Sequence, residues 1–261
     1  MSNELSNRVA VVTGSDSGIG AEIARRFAAA GAAVVINYLH DRAGAQSVRT
    51  DVERAGGRAI VEGADVGDEG AVERLFERAE SAFGPVDILV NNAGRNASGD
   101  QVLDMETAVW LQTIQTNLTG TFLCSRRFAR TRRHRSGGGK IVTISSVHEE
   151  MPAIGVAEYC AAKGGLRMFT RCLALELAIH KINVNNIAPG TILTAMNQDL
   201  LDDETALREH EATIPWKRAG VPEDVAELAL FLAGPRSDYI TGATFTVDGG
   251  MLLNVANGIP N

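Results

Sequence analysis

Tyr159 and Lys163 stand four residues apart in the stretch EYCAAKGG, and Ser146 lies thirteen residues before the tyrosine. If residues 159–177 are helical, the phenol and the ammonium share one face, one turn apart. A cation beside a phenol favours the phenolate, and a phenol tuned in this way can exchange a proton with an alcohol or a carbonyl near neutral pH. On an exposed helix a Tyr-x-x-x-Lys pair is ordinarily just a solvated face. A second feature far upstream gives this one chemical weight: a glycine-rich turn between an apolar run and a helical pattern.

That turn is TGSDSGIG at 13–20, entered from the apolar run VAVV at 9–12. Gly14 permits a tight turn, Gly18 lets the backbone approach a pyrophosphate, and Gly20 lets the helix pack closely on the strand. The free N–H groups and positive dipole at a helix start near Ser17 and Ile19 suit phosphate oxygens. The spacing is GxxxGxG rather than GxGxxG, and no Gly-Lys-Ser/Thr follows, which argues against a P-loop ATPase.

The elements that must position these groups are visible as alternation. Short β-branched runs at 8–13, 33–37, 59–63, 88–91, 140–145, 183–188 and 244–247 read as strands covered on both faces. Helical patterns lie between them at 19–30, 43–55, 69–83, 159–180 and 222–233, with one or two helices within 104–135. The rhythm predicts an α/β fold: a doubly wound parallel sheet of about seven strands with helices on both faces, in one domain over residues 1–261. Residues 191–221 are too long for an ordinary connection and are expected to form a flap over the active site.

Bulk properties narrow the function. A net charge of −7 argues against nucleic-acid and acidic-membrane partners. The six arginines between 126 and 135 close a helix, where cations suit the dipole. No apolar run is long enough to span a membrane, and the N-terminal stretch has neither a basic nor an apolar signal region, so a cytoplasmic protein is expected. Cys124, Cys160 and Cys172 have no metal-ligand spacing, and the five histidines form no ligand set, so no metal is expected.

Taken in order, TGSDSGIG, NNAG at 91–94, Asn117, Ser146, Tyr159-x-x-x-Lys163 and Pro189-Gly190 resemble the short-chain dehydrogenase/reductase family over nearly the whole chain. The resemblance implies a Rossmann fold and an NAD(P)-dependent oxidoreductase acting on CH–OH groups. It implies Tyr159 as acid/base, Lys163 as the residue tuning it and holding the nicotinamide ribose, and Ser146 as a hydrogen bond to the substrate oxygen. Ser145 is the rival serine, one residue off the spacing. Asn117 would help hold a proton-relay water. Gly14, Ser17, Gly18, Ile19 and Gly20 would hold the phosphates, and Asp65 with Val66 the adenine. Asn92, Ala93 and Gly94 would line the nicotinamide pocket, with Pro189, Gly190, Ile192 and Thr194 around the carboxamide. Homotetramers are common in the family, with 222–233 and 244–247 building one dimer contact and the tail 251–261 free to cross to a neighbour.

Where NAD-specific members carry an acid at the end of the second strand, this chain has Tyr38. With His40 and Arg42 close by, NADP is slightly favoured over NAD, although Asp16 places an acid in the glycine loop. The stretches VVINY, NLTG, SSVHEEMP, YCAAKGG and VNNIAPG are similar to bacterial glucose 1-dehydrogenases of the family. That implies a small-molecule sugar or polyol substrate, with His148, Glu149 and Arg95 at the pocket, although Arg95-Asn96-Ala97 departs from their pattern. A ketone or 3-oxoacyl thioester is the alternative within the family, and a non-catalytic dinucleotide-sensing regulator the alternative outside it.

Overall fold

Val9 and Val11 face one side of a sheet and Ala10 and Val12 the other, and all four are buried. This double burial is why the run VAVV shows no alternation. In the computed structural model, which describes residues 3–254, the seven strands are β1 (Val9–Val12), β2 (Ala33–Tyr38), β3 (Arg58–Gly63), β4 (Ile88–Asn91), β5 (Gly139–Ile144), β6 (Ile182–Pro189) and β7 (Thr244–Val247). All pair in parallel in the order β3-β2-β1-β4-β5-β6-β7. The order reverses between β1 and β4. In such a sheet that is where a crevice opens beyond the carboxyl ends of the strands.

Two apolar cores lie against the two faces. The first joins α1 (Gly18–Ala29), α2 (Arg42–Arg54) and α9 (Pro222–Ala233), through residues such as Phe27, Val48 and Leu232. The second joins α3 (Glu69–Phe83), α5 (Gly120–Arg132) and α6 (Ala157–Leu177), through Phe76, Phe128 and Leu173. Gly84 ends α3 at φ 90°, a conformation that glycine adopts without strain.

The region 104–135 is α4 (Thr107–Ile114) running into α5 through one wide π turn, Gln115–Thr119. Residues 191–221 are more structured than their polarity suggests. They hold a 3-10 turn at Ala195–Asn197 and the short helices α7 (Gln198–Asp202) and α8 (Glu204–Thr213). A bridge between Ile192 and Gly220 closes the base of this excursion. Of the tail, Met251–Asn254 form a 3-10 turn, and residues 255–261 lie outside the described residues.

Candidate active site

The glycine turn after β1 is shaped from below. Gly14 and Gly18 take φ +56° and +54°, where a side chain would be strained. A Cβ on Gly20 would lie 2.3 Å from the Gly14 carbonyl oxygen and 2.4 Å from Asn92 Nδ2. Gly20 therefore admits the turn itself and the end of β4, where close helix-on-strand packing was expected. Asn92 Nδ2 donates to the carbonyls of Thr13 and Gly14, at 3.0 and 2.7 Å. Asn37 accepts from the Gly14 N–H at 3.0 Å and donates to the Ala64 carbonyl at 3.1 Å. Three strand ends are thus locked to one turn by two buttressing asparagines.

Above that turn opens a cavity of about 550 Å³, within the range of small-molecule sites. Its walls include Gly14, Ser17, Gly18 and Ile19 of the turn, Asp65 and Val66 after β3, Asn92, Ala93 and Gly94 after β4, and Thr194. Asp65 commits one oxygen to the Gly67 N–H at 2.8 Å and still faces the cavity. A glycine-floored cleft on a helix N-terminus fits a dinucleotide pyrophosphate. Two expected contacts do not reach it. Tyr38 turns its ring onto Gly63, and Arg42, the first residue of α2, is exposed and outside the cavity wall. Leu39, His40 and Asp41 form that wall instead.

A second cavity, about 240 Å³, adjoins the first and shares Ile19, Asn92, Gly94, Arg95, Thr194 and Met196 with it. Ser146, His148, Tyr159, Lys163, Pro189, Gly190 and Ile192 all line it. The Lys163 ammonium sits 5.3 Å from the centroid of the Tyr159 ring and donates to the Ile144 carbonyl at 3.0 Å. The tyrosine ring also meets His148 edge to face, at 5.9 Å. Ser146 Oγ accepts from the His148 N–H at 3.2 Å, so its own proton stays free for another acceptor. The rival Ser145 lines the same cavity, and its Oγ is buried with no hydrogen-bond partner.

His148 Nδ1 lies 2.8 Å from the Met151 carbonyl oxygen. A carbonyl only accepts, so Nδ1 carries the proton, and in the neutral ring Nε2 is an acceptor. Glu149, expected beside it at the pocket, is instead buried behind the wall. One of its oxygens takes the Asn186 amide at 2.5 Å, and Arg167 approaches the other at 3.7 Å. Asn117 sits in the π turn, and its amide brackets the backbone of Arg95, accepting from N–H at 2.8 Å and donating to C=O at 3.0 Å. This holds the segment after β4 at the junction of the two cavities. Cys124 is wholly buried and its thiol is pushed up to about 12, which makes it inert packing. Among the described residues no group of three His, Cys, Asp or Glu side chains is placed to hold a metal, and no helix is long and apolar enough to cross a membrane.

Sequence reasoning missed Asn37, Leu39, Asp41 and Met196 as parts of this surface. Asn37 carried a signal, a polar side chain inside the otherwise apolar run AVVINY. Met196 carried none, since it reaches the junction only because the excursion folds back.

Comparison with known proteins agrees with this construction. The family described as enoyl-(acyl carrier protein) reductase matches residues 13–252. The chain is 44% identical to 3β-hydroxysteroid dehydrogenase 1 of Eggerthella lenta, covering 97% of both chains. It is 39% identical to glucose 1-dehydrogenase 2 of Bacillus subtilis, covering 97% of this chain and 98% of that one. Among solved structures, a gluconate 5-dehydrogenase from Burkholderia cenocepacia in complex with NADP and tartrate superposes with a TM-score of 0.89 at 34% identity, over 97% of this chain and 98% of that one. With the seven-stranded sheet and the ordered motifs in place, the chain belongs to the short-chain dehydrogenase/reductase family and is an oxidoreductase acting on CH–OH groups.

Proposed function

We propose that this chain interconverts a secondary alcohol and its carbonyl on a hydroxylated small molecule, a sugar or polyol, using NAD(P) and Tyr159 as the acid/base. The observation that carries the reading is the convergence of Tyr159, Ser146, Lys163 and His148 on one small cavity that shares wall residues with the glycine-floored cleft. When bound, the nicotinamide supplies or accepts the hydride. Ser146, its acceptor side already taken by the His148 N–H, donates to the substrate oxygen and fixes its position. Tyr159 gives a proton to that oxygen in reduction and takes one from it in oxidation. The Lys163 ammonium stabilises the phenolate as it forms, and its bond to the Ile144 carbonyl fixes its place. Asn117 steadies Arg95 at the cofactor junction and is the position the family uses to support a proton relay beside the lysine.

The hydroxylated substrate is supported by the polar wall. His148 Nε2 offers an acceptor beside the reacting centre, and Arg95, Asn96, Thr191 and Asn197 also line the cavity. Two similar proteins bear sugar-derived names, and the steroid dehydrogenase shares the secondary-alcohol chemistry. The test is a panel of sugars, polyols, ketones and acyl thioesters with both dinucleotides, read by nicotinamide absorbance. Oxidation of sugars or polyols supports the reading. The family's description as an acyl-carrier reductase favours one second reading: 3-oxoacyl-thioester reduction with no sugar or polyol oxidation would replace the first. Tyr159→Phe should cut kcat by about 10²–10⁴ while dinucleotide binding persists. Wild-type turnover in that variant would remove Tyr159 from the chemistry.

A further inference from the structure

The wall of the larger cavity beyond β2 is acidic. Asp41 caps α2, its Oδ1 accepting from the Gly44 N–H at 2.9 Å. Its Oδ2 lies back toward the glycine turn. A Cβ placed on Gly44 would stand 2.4 Å from Asp41 Oδ2 and 2.9 Å from the backbone oxygen of Asp16, so the Asp41 carboxylate lies close against the Asp16 backbone of the glycine turn. Gly44 has no side chain, and this permits the approach. Both aspartates line the cavity. Burial pushes the Asp16 carboxyl above its usual range and the nearby Asp41 charge adds to this, while its own backbone hydrogen bond and His40 pull the other way.

In a doubly wound sheet the adenosine ribose lies over the end of β2, between the phosphate turn and the adenine wall. Here those boundaries are the 14–18 turn and Asp65-Val66, and the residues between them are Leu39, His40 and Asp41. A 2′-phosphate would add up to two negative charges there. The α2 N-terminus, the natural receiver of such a phosphate, is already engaged by the Asp41 carboxylate. Arg42, the cation expected to meet it, is exposed and outside the wall. A ribose diol, by contrast, donates to a carboxylate oxygen.

We propose that Asp16 and Asp41 together make this site select NAD over NADP, doing from the glycine turn and the cap of α2 the work of the acid absent at Tyr38. This rests on the dinucleotide reading of the cleft. It reverses the leaning toward NADP that Tyr38, His40 and Arg42 suggest in the sequence.

The test is binding, read without turnover. NADH and NADPH are titrated by fluorescence, and 5′-AMP and 2′,5′-ADP by calorimetry, against the wild-type chain, Asp16→Asn, Asp41→Asn and the double variant. Asparagine also caps helices well, so Asp41→Asn removes charge and keeps the fold of α2. The wild-type chain should bind NADH about tenfold or more tighter than NADPH, the scale of placing like charges together. The double variant should narrow that ratio by about tenfold. Added salt should narrow it in the wild-type chain, a check that needs no variant. NADPH binding as tight as NADH, or a ratio unmoved by the double variant and by salt, overturns the proposal. Binding of both dinucleotides with no preference leaves the dinucleotide reading intact, whereas binding of neither overturns both.

Discussion

At the scale of single residues the site is a set of positions where a side chain must be one thing. Gly20 is the sharpest case. A methyl group there meets a backbone carbonyl at 2.3 Å, the Ser15 Cα at 2.9 Å and the Asn92 amide at 2.4 Å, and neither of the first two is the end of a flexible side chain. Gly20→Ala should therefore destabilise the chain by about 1–3 kcal/mol and displace Asn92 from the carbonyls of Thr13 and Gly14. Urea unfolding with a parallel NADH titration would check both effects; unchanged stability and affinity would mean the turn relaxes freely. Tyr159, Ser146 and Lys163, which line one cavity, stood out in the sequence only in company with the glycine-rich turn, since Tyr-x-x-x-Lys alone reads as a solvated helix face. Asn37 was hidden for the opposite reason. An amide in a buried strand reads as an interruption until its partners, Gly14 and Ala64, are seen to come from two other strand ends.

At the scale of elements, most boundaries follow from residue type. The inner strands β1 and β4 are buried throughout, as their apolar runs suggested, whereas the edge strands β3 and β7 are covered only in part; glycine marked several helix ends. The π turn in 115–119 was not legible, because QTNLT is compatible with a regular helix; Asn117 within it bonds the Arg95 backbone. The arginine-rich stretch looked like a charge run, yet three of its members are tied within the chain. Arg126 pairs with Glu69, Arg127 with Glu73 and Glu80, and the buried Arg132 with Asp87. At the other end of the excursion, the Arg218 guanidinium donates to both oxygens of Asp224, at 2.7 and 3.0 Å, and the Val221 N–H adds a third bond at 2.9 Å. The Arg218 hydrogen bond, with help from the Val221 amide and against some desolvation, holds the Asp224 carboxyl below its ordinary value. A depressed carboxylate adds stability above its unfolded value, near ~3.9, and that stability is lost as pH falls through the lower folded value. Both groups are partly exposed. Arg218→Gln should accordingly lower the melting temperature by no more than about 2 °C at neutral pH. The gap should close as pH falls below about 4. A gap that persisted in acid would mean that the lost guanidinium acted through packing and not through its charge.

At the scale of the whole molecule, what the sequence hid is where apolar surface is left over after the cores are filled, since exposure is settled only by how helices pack. α9, expected from the resemblance to build a dimer contact, buries Val225, Ala226, Ala229 and Leu232 in the first core and leaves Leu228, Leu230 and Phe231 partly open. The second face of the sheet leaves larger apolar side chains more exposed. Leu111 on α4 is 60% exposed and Leu175 on α6 is 82% exposed, with Trp110, Phe122, Met168 and Ile179 also open on or beside α4, α5 and α6. Large apolar side chains gathered on neighbouring helices are costly to leave in water and mark surfaces that associate. We therefore propose a homotetramer in which the α4–α6 side forms one of the two contacts. Sedimentation of the wild-type chain should give a species about four times its 27.7 kDa mass. Leu111→Glu combined with Leu175→Glu, which changes no buried position, should reduce it to about half that size by placing carboxylates in a desolvated contact. A monomeric wild-type chain would remove the assembly altogether. A tetramer indifferent to both substitutions would move the contact off these helices, leaving Leu111 and Leu175 as surface whose exposure has no partner to explain it.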